Sequence, residues 1–218
     1  RTRTAGTTER AATGVVSVVG LLVFFELSSG ILQGATGPLL PSLQAELDIP
    51  SDYLHWVQAI QYLDAAVSVP VFGRLGDLYG HRRMLRVALL LITVGSVIVA
   101  IAPNFTVLLV GRALLGPLAA LLPLEIGLVR DRLTPEQSRR AIGMLVGAIT
   151  LGSLVGALLA GVVQGQVGDV RVTLGVLAAV AVLCLTLSFF IPESRTRARG
   201  GMDWIGGALL GSSLAALL

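Results

Sequence analysis

The sequence predicts an all-α membrane protein with six spanning helices and the start of a seventh. Hydrophobic residues make up 54% of the 218 positions and charged residues 13%, and the mean hydropathy is +0.84. These values lie outside the usual range of soluble globular domains. Apolar stretches of about 20 residues, the length that crosses a bilayer, alternate with short polar loops.

The six predicted spans share this length and apolar character. They cover about residues 15–39, 53–75, 84–102, 107–129, 141–163 and 172–191. Residues 1–14 are predicted to form a polar tail, 192–203 a linker, and 204–218 the start of the seventh span, which begins at Trp204. Because the chain starts at Arg1 and this span stops at Leu218, we expect a piece of a longer protein.

The arginines predict how the chain lies across the membrane. Of the sixteen basic residues, all arginines, fourteen fall on one side, in alternate predicted loops or at the span ends beside them, whereas Arg171 falls on the opposite side and Arg112 within a span. The acidic loop at 46–52 contains no arginine. We therefore expect a multi-pass plasma-membrane protein, and the positive-inside rule predicts that its N-terminus lies in the cytoplasm. The basic pI of 9.7 reflects these loops, so the expected partner is the lipid bilayer and not nucleic acid.

Two helix starts carry capping signals. Asn104 or Thr106 is expected to cap the fourth span, and this interpretation is favoured over a glycosylation site at 104–106. Thr134, Pro135 and Gln137 have the spacing of a capping box with proline at the first helical position. A helix is therefore predicted to begin there.

Ionisable residues inside the spans are the candidates for function, because a charge in a bilayer costs several kcal/mol unless it is paired or faces a cavity. They are Glu26, Asp64, Arg112 and Glu125. Polar or small residues lie near the first two at helical spacing. Around Glu26 these are Gly30, Gln33 and Gly37, and around Asp64 they are Gln58, Gln61 and Ser68.

Each of these residues has a functional and a structural interpretation. Glu26 and Asp64 are expected to exchange a proton for a cationic substrate in a cavity, the alternative being a hydrogen bond between packed helices. Arg112 is expected to hold a neighbouring carboxylate and to bind exposed backbone carbonyls. For Glu125 the structural interpretation is favoured, with its side chain near the helix end and within reach of Arg130.

The charged loop after the second span carries the pattern Gly73-x-Leu75-x-Asp77-x-x-Gly80-x-Arg82-x-x-Leu85. The pattern resembles the loop signature of the major facilitator superfamily. Leu78 and His81 depart from it, since basic residues are common at both positions. The resemblance implies a conformational latch built from Gly73, Asp77, Gly80, Arg82 and Arg83 that docks against the second half of a transporter.

Further motifs extend the resemblance over the chain. The segment 111–116 resembles the helix 4 motif, whose arginine, here Arg112, is linked in the family to proton coupling. The fifth span resembles the antiporter motif, although Ala157 and Ala160 replace its proline and one of its glycines. The matching glycines are Gly143, Gly152, Gly156 and Gly161. The junction at 192–206 is similar to that of the fourteen-helix drug:proton antiporter branch, but Leu32 stands where that branch has an acid.

The resemblance implies the six-helix N-terminal bundle of a major facilitator fold. The implied function is proton-coupled efflux of small lipophilic or cationic compounds, as in multidrug efflux and antibiotic resistance. The implied partners are a small-molecule substrate, protons and a C-terminal half. Proton-coupled uptake of a solute, or a truncated protein that does not transport, remain as alternatives. Neither a P-loop nor the companion ligands that His55, His81 or Cys184 would need is found, so we expect no enzyme, cofactor or metal site.

Overall fold

A computed structural model describes the backbone of residues 5–191 and the side chains of residues 18–191. The described chain consists of α-helices joined by short turns and one 3-10 turn, Ser51–Tyr53. The helices are α1 (Ala5–Gly34), α2 (Thr36–Glu46), α3 (Trp56–Tyr79), α4 (His81–Ile101), α5 (Phe105–Ala113), α6 (Leu118–Arg130), α7 (Pro135–Val167) and α8 (Val170–Ser188). The predicted linker and seventh span lie outside the described residues.

These helices account for the six predicted spans, two of which are broken. Four segments are long and apolar enough to cross a membrane, or five if the bent pair of α1 and α2 is one span. The helix α3 has 24 residues, a sufficient length, but is not among them. Its polar residues, which include Gln58, Gln61 and Asp64, lower its hydropathy.

The first span does not end at about Leu39 as predicted. It bends by 44° between α1 and α2, and the helix then continues to Glu46 with Pro41 inside it. Pro38 lacks the N–H that would bond the Gly34 carbonyl, which accounts for a bend at this point.

The fourth span is interrupted between α5 and α6. Residues 114–117 form tight turns, in which the Leu115 and Gly116 amides donate to the carbonyls of Arg112 and Ala113. Pro117 has no N–H to continue an α-helix, so the break occurs at this position. The polar Arg112 lies just before the break.

The stretch from Gly73 to Arg83 is not the loop that the sequence predicted. Only Gly80 lies outside the helices there, between the end of α3 at Tyr79 and the start of α4 at His81. Its φ of +100° is a conformation that residues with a side chain rarely adopt. The charged residues on both sides are therefore held on helices.

The most extensive helix contact in the described bundle joins α1 to α7 along a seam of small residues, Gly30, Gly34, Gly152 and Gly156. A Cβ atom added to Gly152 would meet the Leu27 carbonyl, and one added to Gly156 would meet the Ile31 carbonyl. Such glycine pairs let two helix backbones approach closely. Gly143 and Gly161, from the same predicted motif, have no neighbour within 4 Å of an added Cβ.

Both predicted caps are confirmed. Asn104 accepts a hydrogen bond from the Val107 amide at 3.0 Å at the start of α5. Thr134 and Gln137 form the reciprocal capping box at the start of α7, with Pro135 in the first turn. α7 therefore begins at Pro135, earlier than the predicted 141.

Candidate functional site

Two glutamates meet in the middle of the bundle. Glu26 of α1 and Glu125 of α6 both have 0% exposure, and their carboxyl groups interact with each other. None of their four oxygens makes a hydrogen bond of standard geometry to a described residue. Glu125 lies near the end of α6 as expected, but the expected orientation of its side chain toward Arg130 is wrong, because the face of α6 that carries Glu125 points inward.

The surroundings of this carboxyl pair are mostly apolar. Phe25, the residue before Glu26, and Leu121, one helical turn before Glu125, are both fully buried. On α8, the buried Cys184 lies close enough to Glu125 to interact with it, and Ser28 contacts Cys184. Two ionised carboxylates without a cation repel each other strongly in such an interior. The arrangement therefore favours a state in which the two groups share a proton.

Asp64 of α3 has separate neighbours. Its carboxylate accepts a hydrogen bond from the Ser68 hydroxyl at 3.0 Å, and it lies directly against Gly116 at the break between α5 and α6. Asp64 is half-buried and Gln61 is buried. The sequence grouped Asp64 with Glu26 in one cavity, whereas the structure gives the two acids different contacts.

Arg112 lies at the end of α5 with 6% of its surface exposed. Its Nε donates to the Val57 carbonyl at 2.9 Å, and its Nη1 donates to the Thr36 hydroxyl at 3.1 Å. A carbonyl contact was expected, but a carboxylate is absent from its hydrogen bonds in the described part of the chain. Arg112 thus connects α2, α3 and α5.

Four more of the residues predicted at helical spacing around Glu26 and Asp64 are placed by the structure. Gln33 is half-buried and donates to the Ser29 hydroxyl at 3.0 Å. Gly30 packs against α7 rather than lining a cavity, and Gly37 has open space around it. Gln58 is half-buried near the start of α3.

One residue of the predicted latch, Asp77, lies against His81, which the prediction did not include. The His81 Nε2 lies 3.4 Å from an Asp77 oxygen, and its Nδ1 lies 3.3 Å from an oxygen of Asp131, which follows α6. The ring fits between Gly76 and Gly127: a Cβ added to Gly127 would clash with the ring, and one added to Gly76 would lie 3.0 Å from it. This His81 clasp joins the ends of α3, α4 and α6.

The sequence identified most of these residues as candidates but did not predict which residues they contact. The pairing of Glu26 with Glu125 cannot be read from one helix, but the inward spacing of Leu121, Leu124 and Leu128 was a signal that this face of α6 is buried. The contact of Gly116 with Asp64 and that of Asp131 with His81 depend on packing between helices that are distant in sequence.

Known proteins are similar to this chain in sequence and in fold. The model of the Major Facilitator Superfamily matches residues 21–214. The chain is 30% identical over 188 residues to a probable actinorhodin transporter of Streptomyces coelicolor, covering 82% of this chain and 32% of the relative. It is 33% identical over 181 residues to the galactose-proton symporter of Escherichia coli K12, covering 83% and 38%. Multidrug resistance protein 3 of Bacillus subtilis also matches, at 26% identity over 97% of this chain and 41% of the relative.

Among solved structures, the proton:xylose symporter XylE superposes with a TM-score of 0.73 at 14% identity, covering 94% of this chain and 49% of the symporter. This likeness shows the fold. The chain spans 32% to 38% of the length of the first two relatives. With the helical bundle, the apolar spans and the family match together, the chain belongs to the Major Facilitator Superfamily of multi-pass membrane transporters.

Proposed function

We propose that the protein containing this chain exports small lipophilic or cationic compounds in exchange for protons. The observation that carries the proposal is the carboxyl pair of Glu26 and Glu125, which is fully buried and has no cation among its described contacts. A buried acid pair can hold a proton and release it when its surroundings change. Glu26 was expected to act as a proton carrier, and Glu125 is added here as its partner.

Asp64 serves a different step in this proposal. It is half-buried, accepts a hydrogen bond from Ser68, and lies beside the break in the fourth span. A carboxylate that keeps some contact with water attracts a cationic substrate without the full cost of burial. Substrate arrival at Asp64 and proton loss at the carboxyl pair would then be linked through α6, which carries Glu125 and begins next to Gly116.

Transport itself requires more than the described bundle. In this proposal a second half of the protein packs against it, and rocking of the two halves alternates access to the two sides of the plasma membrane. The N-terminus lies in the cytoplasm, as the arginine distribution predicts. Similarity to a multidrug resistance protein supports export.

Proton-coupled uptake of a solute is the second candidate. It is favoured by the similarity to a galactose-proton symporter and by the departures from the antiporter motif at Ala157 and Ala160. Both candidates use the carboxyl pair for the proton. They differ in the direction of the substrate and in its charge.

Everted membrane vesicles that contain the full-length protein test both candidates. Ethidium and tetraphenylphosphonium serve as lipophilic cations and D-galactose as a neutral solute, with an imposed proton gradient. Export predicts that the cations accumulate in everted vesicles and that collapse of the gradient stops this. Uptake predicts gradient-dependent movement of D-galactose in right-side-out vesicles instead.

Variants connect the result to the site. Glu125→Gln is expected to abolish the gradient-dependent part of transport while the protein still reaches the membrane. Glu136→Gln is the matched control, since Glu136 is an exposed glutamate paired with Arg140 at 2.9 Å. Transport that continues unchanged after collapse of the gradient, or in Glu125→Gln, contradicts the proposal.

A further inference from the structure

A small cavity lies beside Arg112, away from the carboxyl pair. Its volume is about 30 Å³, and its polar lining residues are Thr36, Ser96 and Arg112. Leucines and one valine form the rest of the wall. Neither Glu26 nor Glu125 lines it, so the cavity is distinct from the proton site proposed above.

The positive charge of Arg112 is incompletely compensated. A guanidinium has five N–H donors, and the hydrogen bonds of Arg112 within the described chain use Nε and Nη1, both to neutral groups. A guanidinium with 6% exposure among leucines is costly unless an opposite charge or further acceptors face it. The cavity is where such an acceptor fits.

Ser96 provides a second donor. It lies on α4, 6% exposed, and its hydroxyl makes no hydrogen bond within the described structure. Buried hydroxyl groups almost always have a partner. The hydroxyl of Thr36 is already used, because it donates to the Leu32 carbonyl at 3.3 Å and accepts from Arg112. Ser96 and Arg112 therefore both have donors without an acceptor at the same cavity.

We infer that this cavity binds a small inorganic anion of the halide class, held by the guanidinium of Arg112 and the hydroxyl of Ser96. The cavity exceeds the roughly 10–15 Å³ that one water needs but is far below the roughly 300–1,000 Å³ of a site for a drug-sized ligand. An anion satisfies both donors and neutralises the arginine. It also ties α4 and α5 to the bend between α1 and α2, where Thr36 lies.

Chloride is the probe for this site. The purified full-length protein in detergent is titrated with chloride, with gluconate keeping the ionic strength constant, and binding is read from the line width of the ³⁵Cl resonance. Thermal unfolding is measured in the same two salts. Saturable broadening and a higher melting temperature in chloride are the expected results.

Ser96→Ala is the decisive variant, because it removes one donor and keeps the volume of the core nearly unchanged. Loss of a hydrogen bond to a charged group predicts roughly tenfold or weaker chloride affinity. Ser153→Ala is the control, since the Ser153 hydroxyl already donates to the Ile149 carbonyl at 2.9 Å and lies on α7, outside the cavity. Arg112→Gln is expected to abolish the broadening if the variant folds.

Three outcomes overturn the inference. Identical melting temperatures and line widths in chloride and gluconate mean that the cavity holds water. Broadening that Ser96→Ala leaves unchanged means that chloride binds elsewhere. Equal effects of Ser96→Ala and Ser153→Ala mean that the response is a general loss of packing. These readouts do not depend on transport, so they separate this inference from the proposed function.

Discussion

Gly116 has no side chain at a point where the carboxylate of Asp64 occupies the available space. A Cβ atom there would overlap the oxygen and the carbon of that carboxylate. The residue thus fixes how close α3 approaches the break between α5 and α6. It also keeps the Asp64 carboxylate next to the start of α6, whose N-terminal dipole favours a negative charge.

Gly116→Ala is predicted to displace Asp64 and to lower stability by about 1–3 kcal/mol, the usual cost of forcing an extra methyl group into a packed site. For a chain of this size the melting temperature falls by roughly 2–4 °C for each kcal/mol. Thermal unfolding in detergent is the measurement. Gly147→Ala is the control, because Gly147 has no neighbour within 4 Å of an added Cβ. Equal melting temperatures for the two variants are incompatible with a close contact between Gly116 and Asp64.

At the scale of helices, the α1–α7 seam and the His81 clasp hold the bundle together in different ways. The seam brings two backbones into contact along Gly30, Gly34, Gly152 and Gly156. The clasp places one imidazole between two acids and two glycines. The seam depends on the absence of side chains, whereas the clasp depends on the polar contacts of one imidazole and on its packing.

Gly152→Ala is expected to separate α1 from α7 and to destabilise the protein by about 2 kcal/mol or more, since the added Cβ meets a backbone carbonyl that cannot rotate away. Gly143→Ala, on the same helix, is expected to be neutral or slightly stabilising because alanine favours helix more than glycine does. The comparison of their melting temperatures tests the seam. A neutral Gly152→Ala rejects it.

His81→Ala is expected to loosen the ends of α3, α4 and α6 and to lower stability by about 1–2 kcal/mol, because the ring loses its polar contacts with two carboxylates and leaves a gap in the packing. Asp77→Asn is expected to have a smaller effect on stability, because the Asp77 side chain is 50% exposed. It is still expected to slow turnover while substrate binding stays largely intact.

The control for the clasp is His55→Ala, which removes the other histidine of the chain, one whose ring packs against Trp56. Melting temperature and transport rate are measured for all three variants. If His81→Ala behaves like His55→Ala in both assays, the clasp has no structural role. If Asp77→Asn abolishes substrate binding, Asp77 supports folding of the site and not a latch.

At the scale of the whole molecule, the sequence predicted the membrane class, the order of the helices and their caps. These features depend on local hydropathy, on the spacing of arginines and on capping residues, all of which act within a few turns of chain. The breaks at 35 and 114–117 were missed because a proline in a spanning helix is often tolerated without interruption. The helical state of Gly73–Arg83 was missed because charged and glycine-rich stretches are typical of loops.

The sequence was sufficient to select the residues of the candidate site, but it did not predict which of them contact one another. Glu26, Asp64 and Arg112 were identified because a charge inside an apolar span is costly unless it is paired or faces a cavity. Which acid faces which helix depends on packing between α1, α6 and α8, and no local pattern encodes that. Glu125 shows the difference: the spacing of the leucines on α6 carried a signal for its burial that the sequence analysis did not use, whereas nothing in the sequence indicated its pairing with Glu26.

The carboxyl pair is the centre of the proposed mechanism, and infrared difference spectroscopy of the purified full-length protein tests it most directly. We expect a carbonyl-stretch band from a protonated carboxylic acid at neutral pH, which changes in frequency in Glu26→Gln and in Glu125→Gln because the remaining acid loses its partner, is lost in the double variant, and persists unchanged in Glu136→Gln. A spectrum in which that band is absent, or in which both Glu26→Gln and Glu125→Gln leave it unchanged, contradicts the shared proton and the coupling mechanism that depends on it.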